Sequence, residues 1–427
     1  MSQMSRRQVL KSGATGLAGL TVGGGLLSAC GGSGSGGGAS AASESGPIKV
    51  GLLNSLSGGL SIIEQSIHNA GQLAIEELNA AGGINGRKIK PVVADYASDF
   101  SLAVQKAEEL VTREKVAATF GCYTSASRVS VLPVFERNDA MLFYSTLYEG
   151  LECSGNCIYT GCIPTQQLFD FCPWIVENLG KRVYIVGSDY IYPRTMSAIE
   201  QILIKQAGGT IVDDRYFPLS TTEFAPVIAS FRETKPDVIL SNMVGDSIPA
   251  LYKQFKAAGF TPDSLPIAAT VTTEQEVQAM GAAAATGHYM SVTYFQSLDN
   301  PANKKFVAAY KKKYGADQVT NQPMADNYVA VKLWAEAVKK SGSTSFEALR
   351  DTIVGTEFAD APEGKPIKVQ ANHHVALPSL IGQGAANGQY KIVKDFGLRQ
   401  PDPFPAEIVP KDRIPKCPTP LSETQQG

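Results

Sequence analysis

From residue 48 onward, short apolar runs alternate with stretches whose apolar residues recur at helical spacing. Ile48-Lys49-Val50-Gly51-Leu52-Leu53 is the kind of run expected of a strand buried on both faces. Behind it, Ile67, Ala70, Ala74, Ile75 and Leu78 fall on one face of a helix. Gly82-Gly83 ends that helix, and Asn85-Gly86 turns the chain into a strand over 88–95. A helix over 102–113, a strand over 117–120, a helix over 128–138 and a strand over 141–144 continue the alternation. This βαβ repetition argues for a parallel sheet covered by helices.

The alternation breaks near Gly161 and restarts. Helices over 167–179, 197–206, 224–234 and 249–258 lead to strands over 183–187, 210–216, 238–241 and 266–269. A third block, 303–353, reads as helix, with Val331, Trp334, Ala335 and Val338 in one apolar stripe expected in the core. From Pro366 short β-type segments alternate with turns, and 400–427 is a proline-rich tail. The expected fold class is α/β: two Rossmann-like lobes with central parallel sheets, joined by three crossover segments. Lobe 1 is assigned 47–162 with 296–366, and lobe 2 163–295 with 367–399. Breaks in the alternation put the crossovers near 162–165, 294–297 and 366–372.

The residues ahead of this region change the picture of location. Ser5-Arg6-Arg7-Gln8-Val9-Leu10-Lys11 has the form of a twin-arginine export signal. Leu27-Ser28-Ala29-Cys30 resembles a bacterial lipobox, in which the cysteine carries lipid. The segment between Lys11 and Cys30 is too short and glycine-rich for a good transmembrane helix, which wants about 20 apolar residues. Residues 1–29 therefore read as a lipoprotein signal peptide. Residues 30–46, nearly all Gly, Ser and Ala after Cys30, read as a lipidated tether. The expectation is export to the outer face of the cytoplasmic membrane or the periplasm, with a lipid anchor at Cys30.

Charge excludes some partners. Lys and Arg total 38 against 40 Asp and Glu; loss of Arg6, Arg7 and Lys11 with the signal takes the formal net charge from −2 to −5. A mildly acidic chain without basic tracts is a poor candidate for nucleic acid. Six further cysteines, Cys122, Cys153, Cys157, Cys162, Cys172 and Cys417, suggest disulfides in an exported chain, with connectivity open. Their spacings lack two close Cys-x2-4-Cys pairs, so zinc is not expected. No metal or other cofactor is assigned.

In an open α/β sheet, ligands bind outside the carboxyl ends of the strands. The loops there run from Gly121 to Arg128, Tyr144 to Gly150, Ser188 to Arg194 and Asn242 to Ser247. Tyr123, Tyr144, Tyr148, Tyr190 and Tyr192 supply flat apolar faces with a polar tip. Thr124, Ser125, Ser127 and Thr146 supply hydroxyls. Ser125 and Ser127 also sit where a helix begins, so either is a candidate N-cap. This set suits a small, neutral, polar ligand stacked between rings. An amino-acid ligand would need a buried acid for its ammonium group, for which Glu149, Asp189 and Asp246 are available.

These loops also carry a resemblance. Phe120–Arg128, Val131–Glu136, Leu142-Phe143-Tyr144, Tyr148-Glu149-Gly150 and Gly187–Arg194 resemble the solute-binding proteins of ABC importers in the branched-chain amino acid class. So do Tyr294–Asp299, Asp360–Gly364 and Asn372-His373-His374. Within that class the chain is most similar to the urea-binding and short-chain-amide-binding branch, over about 48–397. The resemblance implies a periplasmic-binding-protein type I fold, a ligand between the lobes, and a partner ABC permease. It implies ligand contacts at Tyr123, Ser125, Tyr144, Thr146, Tyr190 and Tyr192, with Tyr148 from the same loop added to the candidate site. The family usually carries proline after the tyrosine matching Tyr144, where this chain has Ser145.

Two other readings stay open beside urea or amide capture. One is an amino-acid-binding protein of the same importer class. The other is an amide hydrolase with Cys122 or Ser125 as nucleophile and His288 or His373 as base. No nucleophile-elbow sequence surrounds either candidate, so an enzyme is not expected.

Overall fold

The computed structural model describes residues 46–414. The chain opens with β1 (Ile48–Asn54), α1 (Ser61–Ala80), β2 (Ile89–Asp95), α2 (Phe100–Glu108), β3 (Thr119–Gly121), α3 (Ser125–Arg137), β4 (Leu142–Tyr144) and β5 (Cys157–Tyr159). The five strands form one parallel sheet in the order β2-β1-β3-β4-β5. Successive side chains of β1 serve opposite faces, as strand geometry requires. Leu52 joins the core under α1, while Leu53 joins a second core under α2 and α3.

The chain then crosses to a second sheet. It runs through α4 (Pro164–Asn178), β6 (Arg182–Ser188), α5 (Ile191–Gln206), β7 (Thr210–Phe217), α6 (Ala225–Thr234), β8 (Val238–Asn242), α7 (Ser247–Ala257), β9 (Ile267–Ala269), α8 (Glu274–Met280), α9 (Ala282–Ala285) and β10 (Tyr289–Val292). A second crossing leads through α10 (Pro301–Tyr314), α11 (Gln322–Ser341), α12 (Phe346–Ile353), β11 (Glu357–Phe358) and β12 (Ile367–Lys368). Here α11 packs on α1, closing the first lobe. A third crossing brings β13 (Leu377–Gly384) and β14 (Tyr390–Arg399) onto the second sheet, ordered β14-β13-β10-β9-β8-β6-β7. The last two strands are antiparallel, so this lobe is parallel only over β6–β10. The α/β class with two lobes and three crossovers is what the alternation predicts.

Several details depart from the sequence reading. Helix α5 starts at Ile191, not near 197, with Pro193 in its first turn, where a missing N–H costs nothing. The N-cap of α3 is Thr124, whose Oγ1 accepts from Ser127 N at 3.0 Å, so neither Ser125 nor Ser127 caps it. Residues 109–114, expected as α-helix, form a π-helical turn. Cys122, Cys157, Cys162 and Cys172 are free and buried, behaving as small core residues, so the expectation of disulfides fails for these four. Cys153 is disulfide-bonded. The signal, Cys30, the tether and Cys417 lie outside the described residues. The tail up to Phe404 is tied down: Asp402 N donates to Thr165 Oγ1 (3.1 Å) and Leu151 N to Pro403 O (2.9 Å). No described helix is long and apolar enough to cross a membrane.

A candidate ligand cleft between the lobes

The strand ends of both sheets meet at one pocket, lined by Tyr123, Ser125, Thr146, Leu147, Tyr190, Tyr192, Val244 and Val271. The first four come from the lobe 1 loops after β3 and β4. The others come from the lobe 2 segments after β6, β8 and β9. The space open to a water-sized sphere is about 10 Å³, so the lobes are closed on one another. Their lips touch as well. A Cβ at Gly59, in the loop after β1, would lie 2.2 Å from Ser220 Oγ of lobe 2, so a larger residue there would push that hydroxyl aside. Gly161 plays a similar part behind the pocket, where a Cβ would lie 2.2 Å from the Thr146 carbonyl.

Five of the seven tyrosine and hydroxyl candidates line the pocket. Tyr144 and Tyr148 do not. The Tyr144 hydroxyl donates to Tyr123 O at 2.8 Å and holds that loop from behind. The Tyr148 hydroxyl lies 2.6 Å from His374 Nε2, and its ring stacks on Tyr159 at 5.1 Å. Tyr148 thus joins lobe 1 to the third crossover. Leu147, Val244 and Val271 were not singled out in the sequence, because aliphatic loop residues look like any other core residue.

Behind the lobe 1 wall sits a charged network. Arg128, on α3, is fully buried. Its Nη2 is 3.3 Å from Glu149 Oε1, its Nε donates to Glu152 Oε1 at 2.8 Å, and its guanidinium lies over the rings of Tyr144 and Tyr148. Ser125 Oγ donates to Glu149 Oε2 at 2.5 Å. The lobe 2 wall is held differently. Tyr192 Oη lies 3.4 Å from Thr270 Oγ1, which donates to Asn242 Oδ1 at 2.6 Å; Asn242 Nδ2 donates to Glu200 Oε2 at 2.8 Å. Burial pushes the Glu200 carboxyl up to about 8, toward its neutral form. It likewise pushes the Tyr123 and Tyr192 phenols well above their ordinary range, so both stay protonated.

Among the described residues, the candidate nucleophiles and bases are not paired with one another. Cys122 is buried, and burial raises its thiol, the reverse of an activated nucleophile. His288 Nδ1 accepts from Ile267 N at 2.9 Å, and burial lowers that ring to about 4. His373 Nδ1 meets Ser154 O at 3.0 Å. Neither histidine is placed to serve Ser125 or Cys122. His373 and His374 are both engaged locally, His374 Nδ1 with Asn372 O at 2.7 Å.

Two α/β lobes closing on a pocket at their strand ends define a ligand-binding protein of the hinged, two-lobed kind. Residues 48–409 match the periplasmic binding protein domain family, and the chain belongs to that family. Its relatives include proteins named Leu/Ile/Val-binding protein homologs, and the solved structures it resembles include solute-binding proteins of ABC transporters. It is 25% identical over 371 residues to Leu/Ile/Val-binding protein homolog 7 of Brucella suis biovar 1 (strain 1330), covering 82% of this chain and 92% of that protein. Two solved structures share the fold. One is a branched-chain amino acid transporter substrate binding protein from Streptococcus pneumoniae in complex with isoleucine (TM-score 0.74, 22% identity, 83% of this chain and 100% of that one). The other is an ABC transporter solute binding protein from R. palustris in complex with benzoate (TM-score 0.75, 19% identity, 84% and 98%).

Proposed function

We propose that this chain captures a small neutral ligand of the urea or short-amide type between its lobes and delivers it to an ABC permease. The observation that carries this reading is the pocket lining: tyrosine rings, hydroxyls and aliphatic side chains, with no charged side chain among them. A planar amide stacks on such rings and hydrogen-bonds at its ends. The closed cleft leaves about the room of one water, so a ligand of a few heavy atoms needs less opening than a leucine side chain. The proposed contacts are Tyr123, Ser125, Thr146, Tyr190 and Tyr192. Export by the twin-arginine signal and anchoring through lipid on Cys30 complete the reading. The proposed location is the outer face of the cytoplasmic membrane or the periplasm.

A second reading, amino-acid capture, is favoured by the names of the relatives, one a Leu/Ile/Val-binding protein homolog and one solved with isoleucine. A thermal-shift screen of urea, formamide, acetamide, short amides and branched-chain amino acids separates the two, since binding raises apparent stability by mass action. Calorimetry on variants then tests the site. A buried amide left without its partner costs about 1–3 kcal/mol, so Ser125→Ala weakens binding roughly 5- to 150-fold. Tyr190→Ala does at least as much, because it removes stacking area together with a hydroxyl. Near-normal affinity in both variants would show that the ligand lies elsewhere. For the anchor, Cys30→Ala is expected to leave the protein exported but free of the membrane fraction.

A further inference from the structure

We infer that Glu149 is a positioning residue that makes the Ser125 hydroxyl a hydrogen-bond acceptor toward the pocket, tuning the site for N–H-rich ligands and against carboxylates. The inference rests on the neutral-amide reading and assigns its chemical basis.

A carboxylate can only accept, so the 2.5 Å bond from Ser125 Oγ to Glu149 Oε2 consumes the serine proton. Glu149 cannot easily turn away. Its other oxygen faces Arg128 Nη2 at 3.3 Å, and that guanidinium is held by Glu152 at 2.8 Å and by the rings of Tyr144 and Tyr148, at 4.7 and 4.3 Å. Two carboxylates face Arg128, and it is not among the residues that line the pocket, although its Nη1 has no hydrogen-bond partner among the described residues. Ser125, which lines the pocket, keeps only lone pairs for a ligand.

Lobe 2 repeats the polarity with neutral groups. Asn242 donates to Glu200, which leaves its Oδ1 to accept from Thr270 and leaves the Thr270 oxygen to accept from Tyr192. Thr146 Oγ1 likewise points its proton at Cys122 O, at 3.4 Å. Ser125 therefore presents an acceptor, and Thr146 and Tyr192, with bonds of 3.4 Å, lean the same way. The Tyr123 and Tyr190 hydroxyls have no protein partner among the described residues and remain free to donate. No Lys, Arg or His lines the pocket. Urea and primary amides complement this pattern, with several N–H donors and one carbonyl. A carboxylate, having only acceptors, would meet lone pairs.

The test compares acetamide with acetate and acetone, near-isosteres without N–H groups, by calorimetry on the wild-type protein and on Glu149→Gln. In the variant, Arg128 can only donate, so the glutamine carbonyl must face it and the amide N–H must face Ser125. That reverses the serine hydroxyl without changing its place. The wild type is expected to prefer acetamide over acetate and over acetone by at least about 100-fold. Glu149→Gln is expected to shrink the acetamide-to-acetate ratio by at least about tenfold, which a merely structural role would not do. Should the variant fail to fold, the wild-type series still decides. Acetate or acetone within about tenfold of acetamide, or an unchanged ratio in the variant, overturns the polarity assignment while leaving the amide reading intact. A wild type that binds isoleucine or benzoate and no amide removes the amide reading, and this inference with it.

Discussion

On the lobe 1 wall, Ser125 is held by a carboxylate that is itself paired with a buried guanidinium. On the lobe 2 wall, Tyr192 is held by a threonine, an asparagine and a carboxyl that burial pushes toward its neutral form. The first network has charge-assisted bonds of 2.5, 2.8 and 3.3 Å and two carboxylates on one arginine. The second has a 3.4 Å link at the ligand end. On the proposed reading, lobe 1 therefore presents a preset surface and lobe 2 adjusts as it closes. The difference also shows how one hydrogen-bond polarity can be reached by two chemistries. A charged pair is rigid but expensive to bury, whereas a neutral relay is cheap and softer.

The strongest way to break the comparison is Arg128→Met. It strands Glu149 without its cation in a buried site, and breaking such a pair costs about 3–5 kcal/mol. Denaturation in guanidinium chloride measures this; urea is avoided because it is a candidate ligand. A loss below about 1 kcal/mol would mean that the network does not hold the lobe 1 wall.

Next comes Glu200→Gln on lobe 2, read against pH. The folded carboxyl titrates at about 8, above its ordinary value of 4.5. The native state thus binds the extra proton between those values. The stability tied to that proton is complete below about pH 4.5 and is lost as pH rises through about 8. The glutamine variant lacks this loss. Its stability relative to wild type should climb between pH 5 and pH 8.5, by on the order of 4 kcal/mol. A pH-independent difference would mean that Glu200 is ionised throughout.

The smallest effect sharpens the contrast. Tyr192→Phe keeps the ring and removes only the long-bonded hydroxyl, so the fold should be unchanged. Amide affinity should drop by about 2- to 12-fold, matching 0.5–1.5 kcal/mol. A loss in calorimetry as large as that of Ser125→Ala would make the two walls equivalent.

Periodicity made much of this fold legible. The apolar run of β1, the stripe of α1 and the Val331–Val338 stripe of α11 are local patterns, and all three became buried core. The strands β5 and β10 went unread, although the equally short β3, β4 and β9 were expected. The start of α5 went unread because its first turn holds Tyr192 and Pro193 where an apolar repeat would begin. Pocket-lining residues were legible where a polar or aromatic side chain follows a strand, as at Tyr123, Ser125 and Thr146. Tyr148 shares that position and Tyr144 ends β4; both look the same in sequence, yet they face inward.

The sequence by itself determined the α/β alternation, the two lobes and the loops that meet at the cleft, because each depends on residues close along the chain. Only the tertiary structure decided what those loops do to one another. Ser125 meets Glu149 across 24 positions, and Tyr148 meets His374 across 226. Which hydroxyls keep their protons for a ligand therefore depends on partners that folding brings together. Hydrogen bonds and ion pairs act over a few ångströms of space, whatever the distance along the chain.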